Sequence, residues 1–332
     1  NQACLDHTFE GKVATCLVNP RAAHETELVV APAPARRRIA VVGAGPAGLA
    51  AALTASERGH AVTLFEREGR IGGQLNLAAA VPGKEEFGPL IAWFATMLER
   101  RGVTLLLGRK ARAEDLDGFD EVVVATGVRP RDPAIPGQDL PHVATYADIL
   151  TGRLAAGPRV AIVGAGGIGF DVAEFLVTGR SPTLHPAEWR AEWGVGDPAE
   201  VRGGVAAPRP APPLRQVTLV QRKAGRPGQG LGRTTGWIHR ASLRMKGVRM
   251  VGGAAYDRIA PEGLWLRLGA GAPELVEADT VVLCAGQESE RALADALAAH
   301  GRAAHVVGGA EAAAELDAKR AIDRGTRLAA TL

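Results

Sequence analysis

At 332 residues the chain is too long for one ordinary core, which points to two domains with connecting material. Hydrophobic residues make up 46% and recur in regular apolar runs, so the 42 glycines and 21 prolines mark turns rather than a low-complexity chain. A formal net charge of +3, with arginines scattered instead of gathered on one stripe, gives no reason to expect nucleic acid or a membrane surface as partner.

Residues 1–36 show no lasting hydrophobic period and end in Ala31-Pro32-Ala33-Pro34-Ala35, an extended connector. Ile39-Ala40-Val41-Val42 then suits a strand buried on both faces and opens a parallel sheet. The longest charge-free stretch, 39–56, has 18 residues and is interrupted by Gly43, Gly45, Pro46 and Gly48, so it reads as strand, turn and buried helix rather than a membrane span. An Ala-rich helix over 49–58 and a strand at 61–65 complete a βαβ unit. A helix over 89–101 and strands at 103–107 and 121–125 close the first unit at Thr126-Gly127.

The pattern restarts with a strand at 159–163, a turn at 164–169, a helix at 170–177 and a strand at 217–220, so the halves read as internal repeats. Between that helix and strand, 178–215 is rich in Pro, Gly and Trp and too long for an ordinary connection; it reads as an insertion or a partner surface. Strands at 280–284 and 305–307 and a helix over 312–330 return the chain to the first domain. The expected class is α/β, with two Rossmann-like dinucleotide-binding domains, one inserted in the other: 37–150 with 286–332, and 151–285. Three cysteines, Cys4, Cys16 and Cys284, are too few for a disulfide framework and fit a reduced compartment. No charged-then-apolar leader is visible, so a cytoplasmic location is the default expectation, while the opening Asn1-Gln2-Ala3-Cys4 suggests a truncated chain.

Gly43-Ala44-Gly45-Pro46-Ala47-Gly48 matches G-x-G-x-x-G, where the first glycine makes the turn, the second admits a pyrophosphate and the third packs helix against strand. Alone the pattern is weak. Here a strand precedes it, a helix follows, and Glu66 ends the next strand, where a carboxylate can accept from ribose hydroxyls. The diphosphate would sit on the helix N-terminus. A chance glycine turn with a solvated Glu66 is the competing explanation, and the context outweighs it.

Gly164-Ala165-Gly166-Gly167-Ile168-Gly169 repeats the logic, but the strand after it ends in Gln221-Arg222-Lys223. A carboxylate there would repel a 2′-phosphate, whereas Arg meets it with a planar fork and Lys with a point charge. Arg222 and Lys223 therefore point to NADPH over NADH; an exposed basic pair on a loop is the alternative. Opposite second-strand chemistry suggests that the acidic fold holds FAD and the other delivers a hydride from NADPH. Orientation of nicotinamide against isoalloxazine accomplishes that transfer, so no catalytic residue is assigned. Eleven residues separate Cys4 from Cys16, which spacing alone allows to be two unrelated thiols or two metal ligands; Cys284, in an apolar strand, reads as core. No Ser/His/Asp arrangement, zinc spacing or P-loop emerges, and His239 stands out only through its motif.

Several motifs now resemble one family. Asn1-Gln2-Ala3-Cys4-Leu5-Asp6, Thr15-Cys16-Leu17-Val18-Asn19-Pro20-Arg21, Gly72-Gly73-Gln74-Leu75, Pro82-Gly83-Lys84-Glu85-Glu86-Phe87 and Ala125-Thr126-Gly127 are similar to 2,4-dienoyl-CoA reductase, whose plan trimethylamine dehydrogenase and related flavoproteins share. The match continues through Gly167-Ile168-Gly169-Phe170-Asp171, Arg233-Thr234-Thr235-Gly236-Trp237-Ile238-His239-Arg240, Cys284-Ala285-Gly286-Gln287-Glu288 and Leu316-Asp317-Ala318-Lys319-Arg320-Ala321-Ile322, so it covers essentially the whole chain. Carried onto these motifs, the resemblance implies further cofactor contacts from Ala47, Arg67, Gly73, Gln74, Lys84, Thr126, Gly127, Trp237, Gly286, Gln287, Gly309 and Glu311. Gly308-Gly309-Ala310-Glu311 departs from the family, which usually has Asp in place of Glu there to meet the ribityl-phosphate region of FAD.

In that family a TIM barrel carrying FMN comes first, followed by four cysteines that bind a 4Fe–4S cluster; Cys4 and Cys16 match the last two. Two thiolates cannot complete a four-cysteine site, so the chain as given is not expected to hold the cluster stably. The resemblance implies that NADPH reduces FAD, that electrons pass through the cluster to FMN, and that FMN reduces a 2,4-dienoyl-CoA thioester of fatty-acid β-oxidation in the barrel absent from this sequence. A reductase module of an amine dehydrogenase-like flavoprotein and a truncated nucleotide-binding fragment without turnover are the alternatives.

Overall fold

The computed structural model describes residues 2–314 and 317–332, so Asn1 and Leu316 of the quoted motifs lie outside the described residues. The chain divides into two compact units: Asn1–Asn76, Glu86–Arg129 and Gln287–Leu332 form the first, Leu77–Glu85 and Pro130–Gly286 the second. Each is an α/β, Rossmann-like unit built on its own five-stranded parallel sheet.

In the first unit the strands run in the order His305–Val306, Glu121–Val124, Arg38–Val42, Ala61–Phe65 and Thr104–Leu106. Arg38–Val42 is central, and its four apolar residues are buried, as a strand covered by helices on both faces requires. The helix Pro46–Glu57 follows, with Pro at its start, where a missing N–H costs nothing. Its small residues let another helix, Ala318–Ala329, lie close: a Cβ on Gly325 would fall 2.1 Å from the Ala47 carbonyl oxygen. That helix begins later than the residue pattern suggests, because the Asp317 carboxylate caps it, accepting from the Arg320 N–H at 2.7 Å.

In the second unit the order is Val143–Thr145, Thr280–Leu283, Arg159–Val163, Gln216–Val220 and Arg249–Val251. The pairing of Val143–Thr145 with Thr280–Leu283 places the segment from Pro130 here, so the unit begins earlier than the expected boundary at 150. The unit also holds an antiparallel sheet of Ala254–Ala260, Gly263–Leu268 and Glu274–Glu277, which no residue pattern marks. Its strands carry charged residues among apolar ones, which blurs the signal, yet Ile259, Leu264, Leu266 and Val276 pack into one cluster with Val163 and Val220. The insertion 178–215 contains a helix, Pro186–Trp193, whose Glu192 forms an ion pair with Lys246 at 3.4 Å, the two side chains being 7% and 5% exposed. The Lys246 ammonium also donates to Thr178 Oγ1 at 2.9 Å, so one buried lysine ties the first residue of the insertion and its helix together.

Candidate dinucleotide sites

Each glycine turn lies at the carboxyl end of the central strand of its unit, where α/β sheets bind ligands. The Gly43 N–H donates to the Phe65 carbonyl at 2.8 Å, and the Gly164 N–H to the Val220 carbonyl at 2.7 Å, so the turns are built alike. Gly43 has φ +105 and Gly164 φ +109; a Cβ on either would meet the carbonyl oxygen of Ala125 at 2.3 Å or of Cys284 at 2.2 Å. A Cβ on Gly48 would fall 1.8 Å from the Gly43 oxygen, and one on Gly169 1.9 Å from the Gly164 oxygen.

Gly45 and Gly166 differ: a Cβ on either meets nothing within 4 Å. Each is the N-cap of its helix, and neither helix start has a side-chain cap, which leaves first-turn N–H groups available to an anion. The first and third glycines are thus closed by protein and the middle one is open. That arrangement fits a dinucleotide diphosphate at both turns.

Glu66 is buried, and its carboxylate accepts from the Ala44 N–H at 2.7 Å and from the Glu68 N–H at 2.9 Å. Lone pairs remain on both oxygens for ribose hydroxyls. Gln221, its counterpart, turns its amide toward its own loop, donating to the carbonyls of Lys223 at 2.9 Å and Gly225 at 3.3 Å. Arg222 and Lys223 are exposed beyond it, with the Arg222 guanidinium 5.9 Å from the centre of the Tyr256 ring.

The other expected contacts of the first unit gather at the same sheet end. Gly73 backs onto Gly45, Gln74 accepts from Gln287 at 3.5 Å, and Thr126 Oγ1 donates to the Glu290 carbonyl at 2.6 Å. Gly127 adopts φ +77 and its carbonyl accepts from the Glu290 N–H at 2.9 Å. Gly309 is buried, whereas Arg67 and Glu311 are exposed, and Ala47 packs under Gly308.

In the second unit Trp237 is 58% exposed on the helix Gly236–Met245, and Gly286 has φ +108 beside the Arg131 guanidinium. Lys84 belongs to this unit rather than the first, and its ammonium is engaged by both oxygens of Asp171 at 2.6 and 2.7 Å. Residue patterns did not reveal the pairing of His239 Nδ1 with Glu174 at 2.8 Å, nor Tyr256 beside the second turn. Cys4 and Cys16 are half-buried and Cys284 is buried, its thiol pushed up by that burial. Among the described residues no group of three or more His, Cys, Asp or Glu side chains is placed to hold a metal; Cys4 and Cys16 would supply two of the four thiolates that a 4Fe–4S cluster takes. Among the same residues no helix is long and apolar enough to cross a membrane.

Residues 37–307 match the family described as pyridine nucleotide-disulphide oxidoreductase. The chain belongs to that family. Membership makes it an oxidoreductase domain and implies FAD and a nicotinamide nucleotide as cofactors. The chain is 34% identical over 311 residues to a metal reductase of Desulforamulus reducens, covering 90% of this chain and 44% of that protein. A 2-naphthoyl-CoA reductase structure shares the fold with a TM-score of 0.84 at 24% identity, over 100% of this chain and 46% of that one. The 6-hydroxypseudooxynicotine amine oxidase of Pseudomonas geniculata N1 superposes with a TM-score of 0.77 at 27% identity, over 99% of this chain and 47% of that one. The oxidoreductase chain thus spans under half the length of each of these relatives.

Proposed function

We propose that the chain is the NADPH-oxidising, FAD-binding reductase part of a longer flavoprotein. The observation that carries this reading is the opposite chemistry behind two turns of matching geometry: a buried carboxylate, Glu66, behind the first, and Gln221 with exposed Arg222 and Lys223 behind the second. Glu66 accepts from the ribose of the FAD adenosine, the open faces of Gly45 and Gly166 admit the two diphosphates, and Arg222 and Lys223 meet the 2′-phosphate of NADPH. FAD, when bound, accepts a hydride and releases the electrons singly to further acceptors.

The further acceptors in this reading are a 4Fe–4S cluster, with Cys4 and Cys16 as two of its ligands, and FMN in a barrel that reduces 2,4-dienoyl-CoA. The motif resemblance across the chain supports it, as does the likeness to a relative of which this chain covers only 44%. A reductase module serving amine oxidation is the second reading, favoured by the 27% identity to an amine oxidase over nearly the whole chain.

Anaerobic titration of FAD-reconstituted protein with NADPH, and separately with NADH, tests the core of the reading. Loss of oxidised-flavin absorbance with NADPH ahead of NADH is the expected result. Protein that binds flavin but is bleached by neither would leave a nucleotide-binding fragment as the better account.

A further inference from the structure

We propose that Tyr256 is a coenzyme-specificity residue, a positioning group that holds Arg222 ready for a 2′-phosphate on the side of the turn where the first unit uses a carboxylate. The inference rests on a nicotinamide nucleotide binding at the second glycine turn.

The two units can be compared atom by atom. In the first, the residue after the second strand, Glu66, reaches back to the glycine turn and fixes it through the Ala44 N–H. In the second, Gln221 occupies the matching position but turns away, bracing the carbonyls of Lys223 and Gly225. The turn is instead approached by Tyr256, whose hydroxyl donates to the Val220 carbonyl at 3.2 Å, the same oxygen that accepts from the Gly164 N–H.

Tyr256 arrives on the strand Ala254–Ala260, and the chain entering that strand braces the basic loop directly. The Gly253 N–H donates to the Lys223 carbonyl at 3.0 Å and the Ala254 N–H to the Gln221 carbonyl at 3.1 Å. Arg222 then lies over the Tyr256 ring at 5.9 Å, within the range of a cation–π contact. Among the described residues it has no carboxylate partner, so its planar set of donors is held in orientation without being consumed.

The chemistry of the group matters as much as its place. Burial pushes the Tyr256 hydroxyl up to about 12, against the opposing effect of the Arg222 charge, so the phenol is neutral at physiological pH. A neutral phenol stiffens the loop without placing a negative charge beside the incoming phosphate. A carboxylate in the same role would repel it.

Titration calorimetry of the FAD-loaded chain with NADP⁺ and with NAD⁺ reads the two affinities without turnover. For Tyr256→Leu, which removes the ring over which Arg222 lies, the expected result is a weakening of NADP⁺ binding by about two- to fivefold, the worth of an exposed cation–π contact, with NAD⁺ binding unchanged. In an Arg222→Leu background the same substitution should leave the NADP⁺/NAD⁺ ratio unchanged, since Tyr256 acts through Arg222. Wild-type preference for NADP⁺ combined with an unchanged ratio in Tyr256→Leu, or with equal losses for both nucleotides, would overturn the inference alone. Wild-type protein that binds neither nucleotide would overturn the functional reading, and the inference with it.

Discussion

The Glu66 carboxylate accepts the Ala44 N–H at 2.7 Å, tying the end of the second strand to the glycine turn after the first. One buried acid therefore shapes the turn and, in the proposed function, accepts from a ribose with its remaining lone pairs. Replacing it by glutamine keeps an acceptor for Ala44 and removes the charge. Glu66→Gln is expected to fold and to lose about ten- to a hundredfold in FAD affinity, the range for a charge-assisted hydrogen bond. Flavin fluorescence quenching on titration measures it; unchanged affinity would confine Glu66 to a structural role.

Gly45 and Gly48 predict opposite failures. Gly48→Ala drives a Cβ into the Gly43 carbonyl, which would sit 1.8 Å away, so it should lower the thermal midpoint sharply. Gly45 has φ −77 with open space around it, so Gly45→Ala should melt like wild type yet bind FAD poorly, because the methyl occupies the path of the diphosphate. Thermal melts paired with flavin retention separate the two; a Gly45→Ala protein that retains FAD fully would contradict the assignment of the open face.

Lys246 and Glu192 are buried together, and a lone buried charge is costly. Lys246→Met is expected to destabilise the second unit by about 3–5 kcal/mol, whereas Lys246→Met with Glu192→Leu should recover most of that loss. Urea denaturation followed by tryptophan emission reports on this directly, since Trp189 and Trp193 lie on the helix that carries Glu192. A double variant no better than the single would show that the pair is not what anchors the insertion.

His60 is buried, its Nδ1 accepts from the Arg37 N–H at 3.2 Å, and among the described residues its Nε2 has no partner. Burial first, then the charges of Arg58 and Arg37, lower its pKa below the ordinary 6.5. A folded-state value below the unfolded one means that the unfolded chain binds the proton more readily. The stability His60 contributes is present above pH 6.5 and is lost as the pH falls through its lowered value. Melting temperatures recorded downward from neutral pH should fall less steeply in His60→Gln than in wild type; parallel curves would exclude His60 as a source of the acid sensitivity.

Elements with a local signal are readable from the residues alone. The runs at 39–42, 61–65, 159–163 and 217–220 announce buried strands because apolar residues dominate each of them, and the two glycine motifs announce their turns because only glycine tolerates the backbone and the carbonyl contacts found there. Glu66 and Arg222 were legible for the same reason, each being the residue or next residue after a recognisable strand.

Which distant residues meet depends on the folded chain. Lys84 and Asp171 are 87 positions apart, His239 and Glu174 are 65, and Tyr256 and Val220 are 36. No period links such pairs, because the contact depends on how the sheet and its crossovers bring separate segments to one edge. The sheet that delivers Tyr256 was itself hidden, since half-exposed strands mix charged and apolar residues and their burial becomes defined only once a neighbouring sheet covers one face.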